Sequence, residues 1–212
     1  MIQMEIAAKM PISLEERLEM GEELRIPASW DEFLDMLEDC EYRIEYDEHE
    51  IISFMGYGTQ NHEKIIANLI RFIGNLLDED QFNVFGSNLA LHIPGFVRRH
   101  YNGDCVVVKG ESENVSLRGN MVAVANPTLI IEVLSASTRN FDVGTKQRNY
   151  RKIPSLQQIL FIESTELLVT SHTRLNGTNE WRLLDYADIN DEVPILGQGN
   201  IKMSDLYKKV SF

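Results

Sequence analysis

Two carboxylates stand where an acid is costly unless it is used. Asp104 follows Asn102-Gly103 and opens the apolar run Cys105-Val-Val-Val108, and Glu132 interrupts Leu129-Ile-Ile-Glu-Val-Leu134. An unpaired buried charge costs several kcal/mol, so each acid calls for a strand end, a cation, or both. If the two strands are neighbours, the acids form an all-oxygen site suited to Mg2+ or Mn2+. The alternative is a plain ion pair in which Arg151 or Lys146 neutralises Glu132.

More familiar motifs are incomplete. His62-Glu63 and His49-Glu50 each lack the second histidine of H-E-x-x-H. Gly144-Thr145-Lys146 ends like a phosphate loop but has no glycine at the required earlier position, and no G-x-S-x-G elbow occurs.

The elements that must position the acids are legible in outline. Ser13-Leu-Glu-Glu16 and Ser29-Trp-Asp-Glu32 are capping-box patterns that open helices, the second before Phe33, Leu34 and Leu37. Tyr42–Tyr46 and Glu50–Phe54 predict a hairpin, although Glu48-His49 is poor turn chemistry beside Asn-Gly. Apolar residues from Ile65 to Leu77 recur at helical spacing behind a candidate cap at Asn61. Strands are expected over 82–85, 88–93, 105–108 and 128–134, with a turn at Asn102-Gly103. A helix is expected over 139–153, ended by Pro154, then strands over 158–162, 167–171 and 181–184, the last pair joined at Asn176-Gly177. This order predicts an α/β (α+β) domain with a central mixed β-sheet flanked by helices. The reading divides it into an N-terminal helical extension over 1–28 and a single domain over 29–212.

The chain has 212 residues, 43% of them hydrophobic and 25% charged, which is globular rather than disordered composition. Cys40 and Cys105 lie far apart without C-x-x-C spacing, as expected of reduced thiols. No signal-peptide pattern or membrane-length apolar run is found, so a soluble, cytoplasmic protein is expected. The net charge of −13 is unevenly spread: residues 1–97 carry 6 basic and 20 acidic side chains, residues 98–152 carry 9 and 5, and residues 153–212 carry 5 and 8. The middle third could accept a polyanion that the rest would repel.

The sequence resembles the large bacterial Uma family, which is grouped with restriction endonucleases in the PD-(D/E)XK nuclease superfamily. The likeness runs from about Trp30 to Tyr207. It is carried by Glu45, Glu50-Ile51, His62, Phe85-Gly-Ser-Asn-Leu89 and Tyr101-Asn-Gly-Asp104-Cys-Val-Val-Val108. It is densest over Asn126-Pro-Thr-Leu-Ile-Ile-Glu132-Val-Leu-Ser-Ala-Ser-Thr138, followed by Asp142, Lys146, Tyr150 and Ile153-Pro-Ser-Leu156.

The resemblance implies a restriction-endonuclease-like fold and metal-dependent cleavage of phosphodiester bonds, with DNA the expected substrate. It makes Asp104 and Glu132 the metal-binding acids, with Glu45 as a third; the alternative for Glu45 is an exposed strand residue pairing with Arg43 on the same face. The superfamily's usual lysine, two residues beyond the second acid, is Leu134 here, and the role passes to Lys146. Asp142, Lys146 and Tyr150 then share one helical stripe. His62 matches too, as a cap, a core hydrogen-bonder or a supporting group. Gly103 replaces the proline that normally precedes the first acid. Arg98, Arg99, Arg148, Arg151 and Lys152 are expected to hold the nucleic-acid backbone. A homodimer suits the cutting of two strands. Two other readings are a catalytically silent module that binds nucleic acid or protein, and a component whose protein partner supplies DNA affinity.

Overall fold

The computed structural model describes residues 10–54, 59–95, 97–175 and 178–212. The chain begins with α1 (Leu14–Leu18), β1 (Glu23–Pro27), α2 (Trp30–Asp39), β2 (Glu45–Asp47), β3 (Glu50–Phe54) and α3 (Gln60–Leu76). Strands β4 (Phe82–Phe85), β5 (Ala90–His92), β6 (Arg99–Asn102), β7 (Cys105–Lys109), β8 (Asn114–Arg118), β9 (Met121–Val124) and β10 (Pro127–Leu134) follow. A π-helical turn, Phe141–Lys146, runs into α4 (Gln147–Tyr150). The chain closes with β11 (Gln158–Glu163), β12 (Val169–Arg174), β13 (Trp181–Tyr186), β14 (Glu192–Ile195), β15 (Gly199–Lys202) and α5 (Met203–Leu206).

The strands sort into two large sheets and one small one, with orders β1-β3-β2-β6-β5-β9-β8, β13-β12-β11-β10-β7-β4 and β14-β15. Both large sheets are mixed: β10 runs parallel to β11, and β5 to β9. All eight residues of β10 are buried, as a central strand covered on both faces requires.

Side-chain alternation assigns the faces. Leu129, Ile131 and Val133 of β10 pack with Val107 of β7 and with Ile65, Leu69 and Ile73 of α3. Ile130 and Leu134 point the other way and pack with Val106, Ile52 of β3, Leu91 of β5 and Tyr101 of β6. Glu132 belongs by parity to this second face, which looks toward the seven-stranded sheet. On that sheet Tyr46 and Ile51 turn outward to Phe33 and Leu34 of α2, so Glu45 turns inward by the same alternation. The order of layers is α3, six-stranded sheet, seven-stranded sheet, α2.

Several expectations need correction. Within the helical extension expected over 1–28, the described residues, from 10 on, hold the five-residue α1 and the strand β1, which pairs antiparallel with β3 at the edge of a sheet. Leu24 and Ile26 pack with the α2 cluster. At Asn102-Gly103 the chain passes from β6 in one large sheet to β7 in the other. Thr59, not Asn61, caps α3 by accepting from the His62 N–H at 3.2 Å, while the Asn61 amide donates to the Ser211 carbonyl at 2.6 Å. The β2–β3 turn forms from poor material, with Glu48 at φ 46° and His49 at φ 76°. The Asn176-Gly177 turn lies outside the described residues, although β12 and β13 pair antiparallel around it.

Candidate active site

The antiparallel register of β10 and β7 pairs Ile130 with Val106 and Ile131 with Cys105. The ladder ends there, and Glu132 and Asp104, the next residue on each chain, line the same cavity between the sheets. The Asp104 N–H donates to the Ile131 carbonyl at 3.0 Å, and the Val133 N–H donates to Asp104 Oδ2 at 2.9 Å. The acid is thus held from both ends by the strand that carries Glu132. Gly103 suits this crossing, since a Cβ there would lie 3.1 Å from Ile130 and 3.2 Å from Val106.

The other predicted residues converge on the pair. The Tyr150 hydroxyl donates to Glu132 Oε1 at 2.6 Å, and Lys146 Nζ lies 3.4 Å from the same oxygen. Lys146 Nζ also lies 2.8 Å from Glu45 Oε1 and 3.0 Å from Asp142 Oδ1. Of the two partners considered for Glu132, Lys146 is therefore the one in place. The π-helical turn carries Asp142 and Lys146, a geometry often found at functional sites. His62 Nε2 stands 3.7 Å from Asp104 Oδ2, so its side chain faces the acid while its backbone completes the cap.

Arg43 is a residue whose importance sequence reasoning understated. Its guanidinium lies 3.1 Å from Glu45 Oε1 and 3.4 Å from Asp104 Oδ1, and it hydrogen-bonds the Asn102 carbonyl. Its side chain is 36% exposed where those of Glu45 and Asp104 are 5% and 10%, so it bridges the two acids from the rim. The available signal was its position two residues before Glu45.

Arg43, Glu45, His62, Asp104, Glu132, Asp142 and Lys146 line a cavity of about 300 Å³. Its further walls include Ser135, Ser137 and Thr138 of the loop after β10, and the apolar Ile52 and Phe54. Four buried carboxylates, Glu45, Asp104, Glu132 and Asp142, face two fixed cations, Arg43 and Lys146. Burial opposes the charge of Asp104, but His62 and Arg43 outweigh it and hold the carboxyl below its usual range. Burial is likewise outweighed at Glu45 by Lys146 and Arg43. The crowding of acids disfavours charge at Glu132, whose carboxyl burial pushes well above the usual range, with Asp142 and Asp104 adding to the push and Lys146 opposing it. Lys146 would lose charge through burial, yet its three carboxylate neighbours hold it protonated.

The five basic residues expected to hold nucleic acid are not brought together. Arg99 is corrected outright: it is buried, with Nε 2.7 Å from Asp47 Oδ1 and Nη2 2.7 Å from Glu48 Oε1. The reason is packing, since β2 and β6 are neighbours and Arg99 pairs across the ladder with Asp47. Arg98 is exposed and stacks over Trp30. Arg151 lies over Trp181 and contacts His172 Nδ1 at 2.9 Å, and Lys152 donates to Asn149 Oδ1 at 2.7 Å. Arg148 is exposed. Elsewhere in the basic middle third, Arg118 pairs with Asp35 and Asp31, and Arg139 lies 2.8 Å from Glu163. Much of the local positive charge is thus neutralised by acids from the flanking thirds.

A mixed-sheet core that sets two acids across neighbouring strands, with a lysine on the next helical segment, is a restriction-endonuclease-like architecture. A crystal structure described as a putative nuclease belonging to DUF820, from Anabaena variabilis ATCC 29413, shares the fold with a TM-score of 0.66 at 18% identity, covering 85% of this chain and 98% of that one. Residues 30–201 match the Uma2 family, described as "Putative restriction endonuclease", and the chain belongs to that family. Two Synechocystis sp. relatives, the uncharacterized proteins sll1609 and slr1290, are each 30% identical, over 162 and 156 residues. These alignments span 76% and 74% of this chain, and 89% and 78% of the relatives. Among the described residues, no helix is long and apolar enough to cross a membrane.

Proposed function

We propose that the chain is a divalent-metal-dependent endonuclease that hydrolyses phosphodiester bonds, with DNA as substrate. The observation that carries this reading is the placement of Asp104 and Glu132 in the wall of one cavity, with Lys146 3.4 Å from Glu132.

Among the described residues no three Asp, Glu, His or Cys side chains form a ready metal-ligand cluster. The donor chemistry nevertheless fits a hard divalent cation. Asp104 and Glu132 offer carboxylate oxygens, Glu45 Oε2 is buried with no hydrogen-bond partner among the described residues, and the four acids outnumber the fixed cations by two. Asp104 and Glu132 would hold the ion, with Glu45 completing the shell. Bound there, Mg2+ or Mn2+ would supply Lewis acidity, easing deprotonation of an attacking water and offsetting charge on the phosphate.

The chain's own residues supply the rest. The Val133 N–H fixes Asp104, and the Tyr150 hydroxyl fixes Glu132, so neither acid has to be ordered when substrate arrives. The Lys146 ammonium can stabilise negative charge developing on the phosphate or orient the nucleophile. Arg43 at the rim can meet an incoming phosphate as a bidentate donor.

The test is incubation of the purified protein with plasmid and single-stranded DNA in Mg2+ or Mn2+, beside Asp104→Ala. Metal-dependent cleavage lost in the variant supports the reading, and cleavage unchanged by it refutes the site. A second reading has its own observation: internal ion pairs consume Arg99, Arg118 and Arg139, on a chain of net charge −13. In that reading a protein partner supplies the DNA affinity, and the isolated chain carries the acid site with almost no affinity of its own.

A further inference from the structure

Resting on the nuclease reading, we infer that the cavity takes one unpaired nucleotide of a single strand, with its base against Phe54 and its phosphate at the acid pair and the Ser135–Thr138 loop.

Depth is the first argument. Glu45, Asp104, Glu132 and Lys146 are 4%, 7%, 1% and 3% exposed, so a reacting phosphate must enter the cavity rather than lie across its mouth. A strand locked in a duplex cannot do this without unpairing, at a cost of a few kcal/mol, whereas a single strand can. The second argument is the division of the walls. On one side stand the hydroxyls of Ser135, Ser137 and Thr138, with Ser135 Oγ 3.1 Å from both of the others. They are neutral donors for phosphate or sugar oxygens. Opposite in character is the half-buried Phe54, whose ring is braced at 5.5 Å by Phe141. An aromatic face beside a phosphate site is how single strands are held without reading sequence. Charge is the third argument. A duplex carries twice the axial charge density of one strand. The cavity wall adds Glu22 to its acids, while Arg99, Arg118 and Arg139 are committed to internal ion pairs.

The test is fluorescence anisotropy in Mg2+ with Glu132→Gln, which keeps the shape of the site. The probes are a short fluorescein-labelled single-stranded DNA and the blunt duplex of the same sequence, at equal salt. The single strand should bind at least about tenfold more tightly than the duplex, and adding Phe54→Ala should cost the single strand about tenfold while leaving the duplex unchanged. Phe54→Leu, which keeps apolar bulk without an aromatic face, should lose the same affinity and guards against a folding artefact. Equal affinity for the two probes, or no binding of the single strand, overturns the inference. Cleavage by the unsubstituted protein separates the two readings. A duplex cut as fast as a single strand refutes the inference and leaves the nuclease, while a single strand bound but never cut refutes the nuclease and leaves the inference.

Discussion

Asp104 Oδ2 accepts the Val133 N–H at 2.9 Å, which ties the acid just before β7 to the strand bearing Glu132, one residue from that second acid. The bond makes the acid pair a property of the β7–β10 ladder rather than of two independent side chains. Asp104→Asn keeps an acceptor for Val133 and should fold normally while metal-dependent cleavage collapses. Asp104→Ala also orphans a buried N–H and should lose about 1–3 kcal/mol of stability. Urea melts of both variants beside their cleavage rates separate the charge from the scaffold.

Lys146 sits among Glu45, Glu132 and Asp142, so its removal leaves buried carboxylates without their shared cation. Lys146→Met should destabilise the protein by about 3–5 kcal/mol at neutral pH. Adding Glu132→Gln should recover part of that loss, since one buried charge disappears with the cation. A double-mutant cycle by chemical denaturation measures the coupling, and strictly additive losses would contradict a shared charge network.

Tyr150 is fully buried and gives its only described hydrogen bond to Glu132. Tyr150→Phe should preserve the packing against Tyr101 and lower cleavage by about 10–100-fold, the usual effect of losing a group that orients a ligand. Isothermal titration with Mn2+ should show weaker binding in the same variant, which a purely structural tyrosine would not produce.

The β2–β3 turn stores avoidable strain. His49 is exposed at φ 76°, where a β-carbon is unfavourable. His49→Gly should stabilise the protein by about 0.5–1 kcal/mol, read as a higher midpoint in urea. Glu48 is better left in place, because it lies 2.7 Å from Arg99.

Acid should weaken the fold through two histidines away from the acid pair. Burial, with help from Arg151, lowers His172 to about 4, and burial, with help from Arg43, lowers His100 to about 4. Unfolded histidines titrate near 6.5, so the unfolded chain binds more protons than the native one between about pH 6.5 and 4. Their contribution is complete above pH 6.5 and is lost progressively toward pH 4. The denaturation midpoint should fall across that window, and His172→Gln should flatten the fall.

Local chemistry announced much of the site. Acids inside apolar strands demand a use, whereas Asp142, Lys146 and Tyr150 were singled out by the family resemblance, and their helical spacing then set them on one side of their segment. The hairpin, α2, α3 and the apolar strands β7 and β10 were legible for the same reason, since period and capping are written within a few residues. β1, β6, β8, β9, β14 and β15 were not, because short strands of mixed polarity gain their stability from partners distant in sequence.

The sequence by itself determined which residues were costly to bury and which elements carried them. Only the tertiary structure decided their partners. It set Arg99 against Asp47 instead of at the surface, spread the basic third over acids from the other two, and placed Arg43 across Glu45 and Asp104. Charge pairing acts over a few ångströms of space, and the sheet order brings together groups that the chain separates by dozens of residues.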